Sequence, residues 1–212
     1  LIASESLSSS NSFATYLMYR TWGSRPFYIS DDASIDDLFD EDSGTYSIMN
    51  PYISTQNEYR VKKNQLFNVN GRVEIKLGKY TTLRINGGYN SRESISEVFN
   101  NSLTYGGHTS TFNTKGLNGN WGFWKRGTWV NENTLMYWRR FNKKHRLDAT
   151  IGFSEQGNRT ESYGFATEMI PIESLGMSGL DTGLPYNTNA KVSTSTMLSA
   201  FARVNYDYKS KY

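Results

Sequence analysis

From Leu198 to Tyr208 the chain alternates. Leu198, Ala200, Ala202, Val204, Tyr206 and Tyr208 are apolar or aromatic, and Ser199, Arg203, Asn205 and Asp207 fall between them. A period of two marks a strand with two different faces. The strand predicted over 193–208 is roughly 50 Å long at ~3.3 Å per residue, against about 17 to 20 Å for a usual soluble strand. A strand of that length needs a tall partner. A transmembrane β-barrel supplies one, because its tilted strands cross an apolar band ~25 Å tall and continue beyond it on one side.

The same period recurs upstream. Over 66–77, Phe67, Val69, Val73, Ile75 and Leu77 alternate with Asn68, Asn70, Arg72, Glu74 and Lys76. Gly78-Lys79-Tyr80 is short enough for a hairpin turn, and the return strand carries Leu83, Ile85 and Tyr89 opposite in parity to Arg84, Asn86 and Asn90. A second hairpin is predicted over 128–156, around a tight turn at 142–145. Its second strand is clean, with Leu147, Ala149, Ile151 and Phe153 on one face. Its first strand is mixed: Leu135, Tyr137 and Phe141 share one parity, Val130, Met136 and Trp138 the other, so its facing stays open.

Between these elements the alternation lapses. Residues 1–63 show no sustained strand pattern, only a short helix capped by Ser10 or Asn11 and stopped at Arg25-Pro26, an acidic run over 31–42, and a turn at Asn50-Pro51. Residues 91–127 and 157–192 are rich in Ser, Asn, Gly and Thr. The predicted organisation is therefore an outer loop region at 1–63, a hairpin at 66–90, an outer loop at 91–127, a hairpin at 128–156, an outer loop at 157–192 and a strand at 193–208. Short connections follow Leu77, Phe141 and Tyr208, and long ones occupy the other ends. One-sided loop lengths of this kind belong to outer-membrane barrels, with short periplasmic turns and long extracellular loops. Tyr80, Phe141, Tyr206 and Tyr208 fall beside the short turns, where an interfacial aromatic girdle is expected.

Composition narrows the choice. Of 212 residues 37% are hydrophobic and the mean hydropathy is −0.62, so no run is long and apolar enough for a transmembrane helix, while a barrel stays open because its lumen residues dilute hydropathy. The 23 basic and 20 acidic residues are too balanced to argue for nucleic acid. With no cysteine, thiol catalysis and Cys-ligated zinc are excluded. The chain opens on Leu1 without a signal-like segment and closes just after a turn, and it reads as a piece of something longer.

Candidate chemistry is sparse, and no enzyme or cofactor is expected. His108 and His145 lack metal-ligand spacing, and no serine sits in a nucleophile elbow. Asp40, Asp42 and Gly44 form a D-x-D-x-G fragment without the bidentate Glu of a calcium loop, so a solvated loop is the simpler account. Tyr105, Trp121 and Trp124 are candidates for stacking on sugar rings; the alternative is that they pack the loop or meet lipid. Arg72, Arg84 and Arg203 share the polar parity of their strands and are expected to face the lumen, as filler or as substrate contacts. Two sequons, at Asn100 and Asn158, are short enough to arise by chance. Lys79, Lys143, Lys144, Lys209 and Lys211 at the short turns fit solvated turns or acidic lipid heads.

NENTLMYWRRFNKKHRLDATIGFSEQ (131–156) and SAFARVNYDYKSKY (199–212) resemble recurring strands of the SusC/RagA family of TonB-linked outer-membrane transporters, and LFNVNGRVEIKLGKYTTLRINGGYN (66–90) looks like an earlier hairpin of that family. The resemblance implies an all-β fold, antiparallel strands of a partial transmembrane β-barrel. It further implies uptake of oligosaccharide or peptide across the outer membrane, with TonB and a SusD-like surface lipoprotein as partners. The other reading of the alternation is a soluble β-sheet carbohydrate-binding module, with Trp121, Trp124 and Tyr105 as its platform.

Overall fold

The computed structural model describes residues 2–7, 18, 22, 39–40, 48–49, 51–109, 113–142 and 144–209. In chain order the elements are β1 (Ile2–Leu7), β2 (Phe39–Asp40), β3 (Ile48–Met49), α1 (Pro51–Asn57), β4 (Tyr59–Leu77), β5 (Thr81–Asn100), β6 (Asn118–Phe141), β7 (His145–Glu168), a 3-10 segment (Glu173–Thr182) broken at Gly176, and β8 (Leu184–Tyr208). One antiparallel sheet has the order β1-β4-β5-β6-β7-β8, and β2 pairs with β3.

Alternation decides how the sheet is laid. Leu77 pairs with Thr81 and the ladder runs unbroken to Tyr59 and Phe99; Phe141 pairs with His145 and the next runs to Gly119 and Thr167. This register stacks like on like. One row across β4 to β8 is Ile75, Leu83, Leu135, Ile151 and Ala202, and the next is Val73, Ile85, Asn133, Phe153 and Ala200. Asn133, the polar member, donates to Asn131 Oδ1 at 2.5 Å. Between those rows, on the opposite face, lie Glu74, Arg84, Thr134, Gly152 and Phe201. The open facing of β6 is thereby resolved: Leu135 and Tyr137 join the apolar face, and Val130, Met136 and Trp138 the polar one.

The apolar face has a height. From Leu147 to Gly157 a strand advances roughly 34 Å, about 25 Å of vertical rise at a barrel tilt of about 40°. Both limits carry aromatic rings. At the short-turn, periplasmic end Tyr80 meets Tyr137 and Trp138, Arg139 lies over Tyr80 and Phe141, and His145 packs on Tyr206 and Tyr208. At the other limit Asn131 and Glu155 bring polarity back, and the next row holds Tyr89 and Trp129. Gly157 makes room there, since a Cβ would stand 2.6 Å from Trp129 Nε1.

The turns are alike at their start. Gly78, Asn142 and Lys209, each the first residue after its strand, adopt φ of 80°, 46° and 53°. That left-handed conformation costs Gly nothing and Asn little. At Lys209 the amide donates to Lys144 O at 2.7 Å, which holds the less suitable residue in place.

Several sequence boundaries are corrected. β4 begins at Tyr59 and β5 ends at Asn100, β6 and β7 span Asn118–Phe141 and His145–Glu168, and β8 starts at Leu184, so the connections shrink to 101–117 and 169–183. Residues 1–63 also contain β1, α1 and the first residues of β4. Above the lipid band both faces meet water and lose their contrast, so no alternation announces the strands. Pro51 fits the first turn of α1, where its missing N–H is not needed. The helix expected from Ser10 or Asn11 lies outside the described residues.

A soluble two-layer module does not hold. Among the described residues no second sheet covers the apolar face, and Val73, Ile151 and Val204 are 56%, 61% and 68% exposed. Such a face is stable against lipid, where side chains of this size need not meet water.

Placing a charge on it is the test. Ile151→Arg in the full-length protein is expected to cost about 2–4 kcal/mol and deplete the heat-modifiable form from the outer membrane. Ser154→Arg, on the polar face opposite Glu132, is expected to leave that amount unchanged in the same fractionation assay.

Candidate substrate-facing groove

The polar face is built in two storeys. At membrane height its charges are tied down: Arg84 Nε donates to Glu74 Oε1 at 2.8 Å, Arg72 Nε to Asn86 Oδ1 at 3.0 Å, and Arg203 Nε to Asn205 Oδ1 at 3.2 Å. Asn86 Nδ2 reaches Glu132 Oε2 at 3.4 Å. Arg72 and Arg84 lie in adjacent rows of neighbouring strands. Arg203 is on β8, about 14 Å from the strand of Arg84 and about 19 Å from that of Arg72 at ~4.8 Å per strand. The three candidate arginines therefore share a face without forming one site.

The upper storey is hollow. A groove of about 820 Å³ is lined on the polar face by Arg60, Lys62 and Arg92, by Ser94, Ser96 and Ser162, by Asn64, Asn120, Asn187 and Asn189, and by Trp124. Small residues make the space. Gly122 and Gly164 face each other across β6 and β7, one row above Trp124. Trp124 itself stands between Ser94 and Ser162 on the flanking strands, and among the described residues no other ring packs on it.

Trp121 does not join Trp124. Three residues apart on a strand means opposite faces, and Trp121 points outward, stacked with Phe123 at 6.4 Å and tilted on Phe165 at 6.0 Å. It also packs against a small core of Phe99, Ile170 and Leu180, with Leu117 and Met177. Residues 169–183 are thus pinned to the outer face of the strand tops. Met169, at φ 54°, donates its amide to Lys115 O at 2.8 Å, and Ile170 to Leu117 O at 3.0 Å.

Tyr105 belongs to a third place. It sits on the 101–109 loop, half-exposed, with its amide on Ser54 Oγ of α1 at 3.3 Å, outside the groove. That loop is held by buried Thr104, whose hydroxyl donates to Asn101 O at 2.8 Å, and by Glu173, whose carboxylate accepts the Ser102 hydroxyl at 2.8 Å and amide at 3.2 Å. Asn118 ties loop to strand through Gly106 O and Gly116 O.

The remaining candidates are accounted for singly. His145 Nδ1 meets Tyr206 Oη at 2.5 Å in the periplasmic ring cluster, and His108 is on the 101–109 loop. Among the described residues no group of His, Asp and Glu is arranged to hold a metal. Asp40 lies in β2, while Asp42 and Gly44 lie outside the described residues. Asn100 and Asn158, the sequon residues, are in strands and bonded to Asn118 Oδ1 and Ser195 Oγ. The groove residues Arg60, Lys62 and Arg92 escaped sequence reasoning. Their only common signal is parity within strands whose upper halves alternation did not reveal.

Known proteins show the same architecture. No family model matches the sequence. The chain is 31% identical over 121 residues to TonB-dependent receptor P26 of Formosa agariphila, across 52% of this chain and 10% of that protein. Its fold superposes on the RagAB peptide transporter with a TM-score of 0.67 at 17% identity, covering 82% of this chain and 19% of that one. For the RagAB peptide importer in the open-open state the TM-score is 0.68 at 17% identity, with 84% and 19% covered. The fold is that of an outer-membrane β-barrel wall. In sequence the chain is similar to a stretch of that TonB-dependent receptor, and in fold to a stretch of the barrel wall of those outer-membrane transporters. It spans about a tenth of the curated relative and about a fifth of the solved transporter chains.

Glu173 gives a test of how the loops are held. Glu173→Ala is expected to release the 101–109 loop, losing about 1–3 kcal/mol of local protection because its hydrogen bonds involve a charged acceptor. Hydrogen exchange at the Ser102 amide in the full-length protein reads this directly, with strand amides of β6 expected to stay protected.

Proposed function

We propose that the full-length protein imports oligosaccharide or peptide nutrients across the outer membrane, drawing energy from TonB and working with a SusD-like surface lipoprotein. The observation that carries the reading is the two-storey polar face. A wall at membrane height whose arginines are held by Glu74, Asn86 and Asn205 lies beneath an open groove at the end where cargo would arrive. The receptor and transporter likenesses support it at the level of outer-membrane uptake.

Support for a lipoprotein partner is the outward ring cluster of Trp121, Phe123, Tyr163 and Phe165, which stands above the lipid band. Aromatic side chains of this kind are enriched at protein interfaces. In this reading Arg72, Arg84 and Arg203 serve as wall charges, and Trp124, on the polar face of the groove, is the aromatic side chain that meets cargo.

Energy coupling and location form the test. In the native bacterium the full-length protein is expected in the outer-membrane fraction with heat-modifiable migration. Accumulation of labelled oligosaccharide or peptide is expected to stop when either its gene or TonB is deleted. Recovery of the protein in the soluble fraction, or uptake indifferent to both deletions, would overturn the proposal.

A further inference from the structure

Charge is divided unevenly between the two faces above the lipid band. On the outer face each cation has an acid: Lys125 Nζ is 3.4 Å from Glu93, Arg159 Nε 2.6 Å from Glu161, and Lys63 Nζ 4.0 Å from Glu97. The inner face at the same height is different. Four successive rows run from Leu66-Arg92-Arg126-Thr160-Ser193 up to Arg60-Val98-Asn120-Ala166-Asn187, and they contain Arg60, Lys62, Arg92, Arg126 and Lys191 with no Asp or Glu. Glu58, just beyond the strand, pairs with Arg60 at 3.3 Å. Lys62, Arg92, Arg126 and Lys191 make no ion pair among the described residues.

Arg92 and Arg126 stand directly opposite each other. Like charges at such a position, with Cβ atoms about 5 Å apart, destabilise a sheet unless something neutral or negative comes between them. The groove's lining holds Arg60, Lys62 and Arg92 against one acid, Glu97, with Arg126 and Lys191 on the rows beside it, and a concave surface with such an excess of cations concentrates anions from solution. We propose that the groove takes a polyanionic oligosaccharide, one whose sugars bear carboxylate or sulfate groups. The inference rests on the importer reading above and names its cargo.

Three features select sugar over an acidic peptide. Trp124, half-buried, stands between two serines and has no other ring packed on it among the described residues, an arrangement suited to the flat face of a pyranose. Ser94, Ser96, Ser162, Asn64, Asn120, Asn187 and Asn189 supply neutral donors and acceptors for hydroxyls. The inner-face rows that carry the cations hold few large apolar side chains to seat those of a peptide, Leu66, Val98 and Trp124 among them.

The test uses the purified full-length protein in detergent. Titrations employ oligogalacturonates for carboxylate, chondroitin sulfate oligosaccharides for sulfate, and maltooligosaccharides and a glutamate-rich peptide of matched length as comparators. At least one acidic sugar series is expected to bind more tightly than the neutral series and the peptide, with affinity falling as salt rises. Arg92→Ser combined with Arg126→Ser is expected to weaken that binding ~10-fold or more, and Trp124→Ala ~10-fold. Lys79→Ser, at a periplasmic turn, removes a charge as well and is expected to change nothing.

Neutral sugars bound as well as acidic ones, the peptide preferred over both, or equal losses from the groove and Lys79 variants would each overturn the inference. So would absence of binding by every acidic sugar, which is the outcome expected if another segment of the same protein covers the cations. Uptake that persists for a neutral sugar or peptide sinks the anionic cargo and leaves the importer standing. Uptake of every cargo class that is indifferent to deletion of both the gene and TonB sinks both.

Discussion

Hydrocarbon offers no partner to a backbone amide or carbonyl, so a strand that crosses a bilayer must pair along its whole membrane length. The ladders of β4 to β8 meet that demand without a bulge at membrane height. The register shift between β7 and β8 is at Ala166/Thr167, far above it. Once pairing is continuous the register is fixed by the short turns, and a slip of one residue would send Arg72, Arg84 and Arg203 into lipid. Gly78, Asn142 and Lys209 therefore do more than reverse the chain. Their left-handed backbones set which parity of each strand looks outward.

Everything functional follows from that parity. Ile75, Leu83, Ile151 and Val204 are committed to lipid, and their neighbours in sequence are committed to the lumen. The strands then run on past the bilayer, to 24 residues in β6 and β7 and 25 in β8, about twice what the apolar band requires. The surplus is what forms the groove. In the membrane storey Glu74 and Arg84 neutralise each other; in the surplus the inner face carries cations alone.

What could be read from sequence tracks where the two faces differ in solvent. Leu147 to Phe153 and Leu198 to Tyr208 alternate because lipid lies on one side and water on the other, so the hairpin tips and the shared polar face of Arg72, Arg84 and Arg203 are legible in the sequence. Ser91-Arg92-Glu93-Ser94 carries no such contrast, and the upper half of β5 was taken for loop. The groove was hidden for the same reason. Arg60 and Lys62 lay in a supposed loop region, and their proximity to Arg92 depends on pairing across a long sequence separation. Trp121 and Trp124 fall in the same unmarked stretch, where no alternation assigns them to a strand; β6 begins at Asn118, and parity along it puts them on opposite faces.

The central claim is that one parity of β8 faces lipid and the other water, over a limited height. The chain has no cysteine, so single cysteines can be placed at each position from 194 to 206 in an otherwise cysteine-free full-length protein in native outer membranes. A small water-borne maleimide is expected to label the odd positions 199, 203 and 205 and to spare 200, 202 and 204, with the alternation vanishing at 194 to 196, above the band. Uniform labelling of both parities from 198 to 206 would contradict the account.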